Sequence, residues 1–127
     1  MTPTARTLAE CKGRGWPAHV VEKWIAQARK RIDAWGFGDV LVLDGQPGSL
    51  LIQATVTDSM SSRVKKICDE CKDLAMAWLA AGNRIEVWGW AKRGAAGKRK
   101  LWTLRRVAIT SDGRWIVAKE MPCDSPL

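Results

Sequence analysis

A chain of 127 residues with 46% hydrophobic content has material for one core, and 21 Lys and Arg against 13 Asp and Glu leave it a net charge of +8. No apolar run approaches the length of a membrane-spanning helix, and the start MTPTARTLAECKGRG has neither an apolar h-region nor a cleavage signature, so a membrane or secreted protein is not expected. The positive balance favours an anionic partner, nucleic acid first, with a solubilising surface as the plainer alternative.

Residues 3–16 open with Pro and Thr and carry Ala5, Leu8, Ala9 and Lys12 at helical spacing, which predicts a short helix stopped by Gly13 and Gly15. Pro17 resets the chain. In 18–31, Val20, Val21, Trp24, Ile25 and Ala28, with Ile32 beyond, fit a helical stripe, while Val20–Ile25 also suits a strand; periodicity leans to helix. Glycines flanking Phe37 point to a close backbone approach before the next strand. Val40–Leu43 and Leu50–Ile52 are apolar and too short for helices, and the turn 44-DGQPGS-49 between them predicts a β-hairpin. Asp39 stands at its mouth and Gln53 at its end.

The stretch 55–62 is polar and turn-like. Asp58 or Ser59 then caps a predicted long helix over 61–82, with Val64, Ile67, Cys68, Cys71, Leu74, Ala75, Trp78 and Leu79 on one face and Gly82 at C′. Residues 84–92 alternate Ile85, Val87 and Gly89 against Glu86, Trp88 and Trp90, a strand covered on both sides or bearing an exposed aromatic row. A basic loop, 91–100, leads to a partner strand at 101–109, a turn at 110–113 and a short edge strand within 114–120. The expected organisation is one domain over 1–120 with a loose tail at 121–127, in an α/β or α+β arrangement.

Three constellations could carry chemistry. The first is acidic: Asp33, Asp39 and Gln53 around the hairpin, with Glu10 and Glu22 upstream. Mg²⁺ needs rigid oxygen ligands with water positions left open, which Asp39 and Gln53 on adjacent strands can begin to supply; Asp39 serves equally well as a polar strand start. The second is basic: Arg29, Lys30 and Arg31; Arg63, Lys65 and Lys66; Lys92 and Arg93; Lys98, Arg99 and Lys100; Arg105 and Arg106. These are phosphate-contacting types without a base-reading motif, or else a solvated surface. The third is aromatic: Trp88, Trp90 and Trp102 either stack on unpaired bases or belong to a core or dimer surface, while Trp16, Trp24, Trp35 and Trp78 read as packing. Cys68 and Cys71 form a C-x-x-C within a helical pattern, with Cys11 and Cys123 remote; zinc is open to them, but reduced helix-borne thiols are the simpler reading.

The run G-F-G-D-V-L-V-L, a short turn, L-I-Q-A-T, then S-x-R-V-x-K-I and a helix ending W-L-A-A-G resembles the phage-encoded branch of the PD-(D/E)XK nuclease-like superfamily. That branch includes proteins similar to archaeal-type Holliday junction resolvases and VRR-NUC domains. The resemblance covers about Leu8 to Trp90. It implies a restriction-endonuclease-like α-β-β-β-α-β core with an extra C-terminal hairpin or edge strand, and it makes Val20–Trp24 a strand with 25–31 as its exit.

By the same resemblance, Asp39 matches the family aspartate, Gln53 its glutamate and Thr55 its lysine, with Glu10 as a helix glutamate by location. Asp39, Gln53, Glu10 and Asp33 become candidate ligands for Mg²⁺ or Mn²⁺. Arg31, Arg63, Lys65 or Lys66 could stand in for the missing lysine. Arg29, Lys30, Arg63, Lys65, Lys98, Arg99 and Lys100 become candidate DNA contacts. The implied activity is metal-dependent endonucleolytic cleavage of duplex or branched DNA by a homodimer, a phage or prophage product in a bacterial cytoplasm. The alternative is a nuclease-like DNA-binding protein that does not cut, because Thr55 lacks the cation that would orient water and stabilise charge on the phosphate.

Overall fold

The computed structural model describes residues 1–21, 23–94, 97 and 99–122, with backbone alone at 23–25 and 30–32. Helix α1 (Pro3–Gly13) starts where Thr2 accepts the Ala5 N–H at 3.1 Å and Pro3 occupies the first turn, whose N–H needs no partner. Then come β1 (Ala18–Val20), β2 (Lys23–Ile25), β3 (Lys30–Ile32), β4 (Val40–Val42) and β5 (Leu50–Val56). A 3₁₀ turn at Thr57–Ser59 leads into α2 (Met60–Cys68) and α3 (Lys72–Ala80), followed by β6 (Arg84–Arg93), β7 (Leu101–Ser111) and β8 (Ile116–Glu120).

Six strands form one sheet in the order β1-β4-β5-β6-β7-β8, and β2 and β3 pair separately. Every neighbouring pair is antiparallel except β5 and β6, which run parallel from Leu50↔Arg84 to Val56↔Trp90. A parallel pair requires a crossover, and α2 and α3 provide it. The sheet is covered on both faces. Phe37, Leu51, Met60, Ile67, Ala75, Ile85, Val87 and Ile109 fill the side under α2 and α3. Cys11, Val40, Val42, Leu50, Ile52, Trp88 and Trp90 fill the side under α1. This double covering is why β5 reads as a continuous apolar run rather than an alternation. It also makes Trp88 and Trp90 core residues, while Trp35 is 48% exposed.

Three expectations from sequence are corrected. The stretch 18–32 is not helical: β1 occupies 18–20 rather than Val20–Trp24, and 23–32, expected in part as a strand exit, is a hairpin of its own. The second strand of the central hairpin runs on from Ile52 to Val56, taking Gln53 and Thr55 into the sheet. The long helix is two helices broken at residues 69–71. Asp69 and Glu70 would oppose the dipole at a helix C-terminus but favour a helix start, so the acidic pair suits a boundary there. The end of α3 is as expected: Gly82 N–H donates to Leu79 O and Asn83 N–H to Trp78 O, with Gly82 at φ 89°.

One end of the sheet is clamped. Asp44 takes a bidentate ion pair from Arg84 at 2.5 and 2.6 Å, Asn83 Oδ1 accepts the Ser49 N–H, and the Arg84 N–H donates to Ser49 O. The hydrogen bond from Arg84 holds the Asp44 carboxyl below the usual carboxylate range. At Gly48 (φ 76°) a Cβ would lie 2.0 Å from Gly82 O, so the turn closes on backbone. Gly48→Ala should therefore lose at least about 2 kcal/mol of unfolding free energy, with clash added to left-handed strain. Denaturant titration showing wild-type stability would contradict the closure.

Candidate functional site

Residues 34–38 form the turn that connects Asp33 to Asp39. Ala34 and Gly38 are bridged antiparallel, with Phe37 and Gly38 N–H groups both donating to Ala34 O. The turn needs positive φ at Trp35 (54°) and Gly36 (83°), a cost that Gly36 bears without strain. In that register Asp33 falls opposite Asp39, and both border one cavity of about 480 Å³. Its other walls are Thr2, Pro3 and Thr4 at the start of α1; Gln53 to Val56 at the end of β5; and Ser59 and Arg63 around the start of α2.

Asp39 is held from three directions. Its N–H donates to Ile52 O and its carbonyl accepts from Val21, which ties its backbone to strands on either side. Its Oδ2 accepts the Gln53 side-chain amide at 2.7 Å and the Ala54 N–H at 3.0 Å, all within the buried interior. A carboxylate offers only acceptors, so the amide end facing it is the NH₂. Asp39, Gln53 and Thr55 are each about 5% exposed. The Gln53 amide meets the buried carboxylate with a charge-assisted hydrogen bond and adds no second negative charge. A glutamate at position 53 would instead place two like charges together, which a cation would offset.

Two carboxylates among the described residues, Asp33 and Asp39, border the cavity. Among the described residues no three His, Cys, Asp or Glu side chains converge. Gln53 donates its amide NH₂ to Asp39, which leaves its Oε1 as a neutral oxygen donor beside these two carboxylates. Glu10, expected as a ligand, is elsewhere: it pairs with Arg14 at 2.8 Å and borders a different hollow with Met1, Arg6, Ala9 and Gly13. Glu22 lies outside the described residues.

Of the cations expected to replace the lysine, Arg63 lines the cavity together with Thr55. Lys65 and Lys66 lie two and three residues further along α2 and do not line it. The backbone puts Arg31 in β3, and its side chain and that of Lys30 lie outside the described residues. Arg29 is exposed in the β2–β3 turn. Arg99 and Lys100 are exposed at the β6–β7 connection, where Lys92, Arg93 and Lys100 share a shallow depression; Lys98 lies outside the described residues.

Among the described residues the cysteines belong to no group of three or more potential metal ligands. Cys11 packs on the α1 side of the sheet and Cys71 on the other, so they cannot meet, and Cys123 lies outside the described residues. Burial pushes the Cys11 thiol up to about 11 and raises Cys68 and Cys71 as well.

The pairing of Asp39 with an amide yields a sharp test. Gln53→Glu puts a carboxylate beside Asp39, raising a folded-state pKa above the value of about 4.3 of an unfolded Glu. The folded protein then holds more protons than the unfolded one, so the variant should lose stability as pH rises above that value. Mn²⁺ should restore its melting temperature at neutral pH and leave the wild type unmoved. A wild type stabilised by Mn²⁺ as strongly as the variant would mean that Gln53 does not substitute for the ion. Against known proteins, no family model, no curated protein and no solved structure matches this chain, so the site is read from its own geometry.

Proposed function

We propose that this chain is a DNA-binding protein on a nuclease-like framework, holding the DNA backbone across the Asp39 cavity and the basic β6–β7 hairpin without metal-dependent cleavage. The observation that carries the reading is the parallel register of β5 and β6. Val56, at the cavity, pairs with Trp90, and β6 continues three residues further to Arg93. At about 3.3 Å per residue, the two-stranded extension reaches some 10 Å past the cavity from the same end of the sheet. It carries Lys92, Arg93, Arg99 and Lys100, and Arg63 sits at the cavity wall. Cations along one rim suit a polyanion's regular phosphates, and the net charge of +8 has the same sense.

The nuclease-like reading draws on a helix, three antiparallel strands (β1, β4 and β5), a helical crossover and a parallel strand, with the separate β2–β3 hairpin inserted between β1 and β4 as an addition to that order. That no helix among the described residues is long and apolar enough to cross a membrane leaves this reading unaffected.

A second reading, Mg²⁺- or Mn²⁺-dependent hydrolysis, is favoured by one observation: Asp33, Asp39 and Arg63 border the same cavity. Mg²⁺ often takes only one or two protein carboxylates and completes its shell from substrate phosphates. The two readings separate cleanly. Under the first, labelled duplex binds with strong salt dependence and stays intact with either ion. Under the second it is cut, and Asp39→Asn abolishes cutting.

For binding, the double variant Lys92→Glu, Arg93→Glu should flatten the slope of log affinity against log salt by about 2. It should weaken duplex binding without changing the melting temperature. Failure of the wild type to bind duplex at low salt would remove the DNA-binding reading altogether.

A further inference from the structure

Within the β6–β7 extension, Lys92 and Trp102 are directly paired across the strands, and so share a face. By alternation along β6 and β7 this is the face of Trp88, Trp90 and Leu104, the one that α1 covers. Helix α1 reaches the arm at two points. Thr7 accepts the Trp90 indole N–H at 3.0 Å, and one residue earlier the Arg6 guanidinium lies 3.6 Å from the centre of the Trp102 ring. Arg6 Nε is buried and makes no hydrogen bond among the described residues, so this side chain is committed to the stack.

A cation at that distance leaves no gap for water on the ring face that it covers. Trp102 nevertheless remains 41% exposed, so the stacked guanidinium leaves much of the residue open to solvent. The result is a partly exposed indole stacked on a guanidinium, with Lys92 as its cross-strand partner. Trp88 and Trp90 lie in the core on the same face and cannot serve in this way.

We propose that Trp102, backed by Arg6 and flanked by Lys92, is a stacking platform for an unpaired base of a DNA strand whose phosphates follow the basic arm. The proposal rests on the DNA-binding reading above and narrows the substrate to DNA with a single-stranded portion. In intact duplex each base's faces are taken by its neighbours, so a free indole face has nothing to receive. An overhang, gap or flap supplies a base whose face is free, and stacking on an aromatic ring is strong and indifferent to sequence. Holding the indole in place beforehand removes part of the ordering cost of binding.

The test compares a blunt duplex with the same duplex carrying a single-stranded overhang, by fluorescence anisotropy at low salt. The wild type should bind the overhang DNA more tightly. Trp102→Leu, which keeps apolar bulk and loses the ring, should weaken overhang binding about tenfold and blunt-duplex binding less than about twofold. Trp102→Phe should retain most of the preference, and it keeps the test open if the leucine variant does not fold. Equal losses on both DNAs, or no loss on either while the wild type binds, would overturn the platform and leave the binding reading standing. A wild type that binds neither DNA overturns both.

Discussion

The structure depends on the parallel pairing of β5 with β6. Seven registered pairs join Leu50–Val56 to Arg84–Trp90, while every other junction in the sheet is antiparallel. Parallel neighbours cannot be joined by a tight turn, so the chain must leave the sheet, and α2 and α3 are the route back. Their return covers one face, α1 covers the other, and the central strands become apolar on both sides. The same pairing sets strand ends together. The C-terminal end of β5, where Gln53 and Thr55 meet the cavity, lies beside the end of β6 from which the basic hairpin extends. Core and candidate site thus follow from one register.

Much of this was readable from the residues, and the failures have identifiable causes. The hairpin around 44–49 announced itself through Asp-Gly and Pro-Gly in its turn, and the end of α3 through Gly82. The β2–β3 hairpin did not, because its turn, 26-AQAR-29, contains no Gly, Pro, Asn or Asp. Arg29 takes the positive φ (50°) usually left to glycine, so the strand pair kept the look of a helical stripe. The break between α2 and α3 was hidden because Ile67, Cys71 and Ala75 stay on one apolar face across it. The signal against a continuous helix was electrostatic, in Asp69 and Glu70. At the site, Asp39 and Gln53 were identified as neighbours, but the meeting of Asp33 with Asp39 required knowing that Trp35 and Gly36 turn the chain through 34–38. Glu10 was misplaced because a position on α1 does not reveal that Arg14, one turn later, will claim it.

The Asp39–Gln53 bond shows how little separates a charged site from a neutral one. An amide for a carboxylate changes a few atoms on an otherwise unchanged strand. Its effect is to replace a like-charge pair by a carboxylate hydrogen-bonded to a neutral amide. Thr55 is buried beside it, and the cation among the pocket's walls comes from α2 as Arg63.

The clamp joining Asp44 and Ser49 to Asn83 and Arg84 gives the sheet a mechanical polarity. At that end, parting β5 from β6 means breaking an ion pair and withdrawing the turn from the end of α3, an event coupled to much of the core. At the other end β6 and β7 run on beyond β5 as a bare ribbon, stitched to the body through α1 at Trp90 and Trp102. The free energy of local opening should therefore fall along the sheet, from the global value beside Arg84 to a small fraction of it at Arg93. A ribbon of that kind can bend to follow a ligand's contour while the strands that anchor it stay closed.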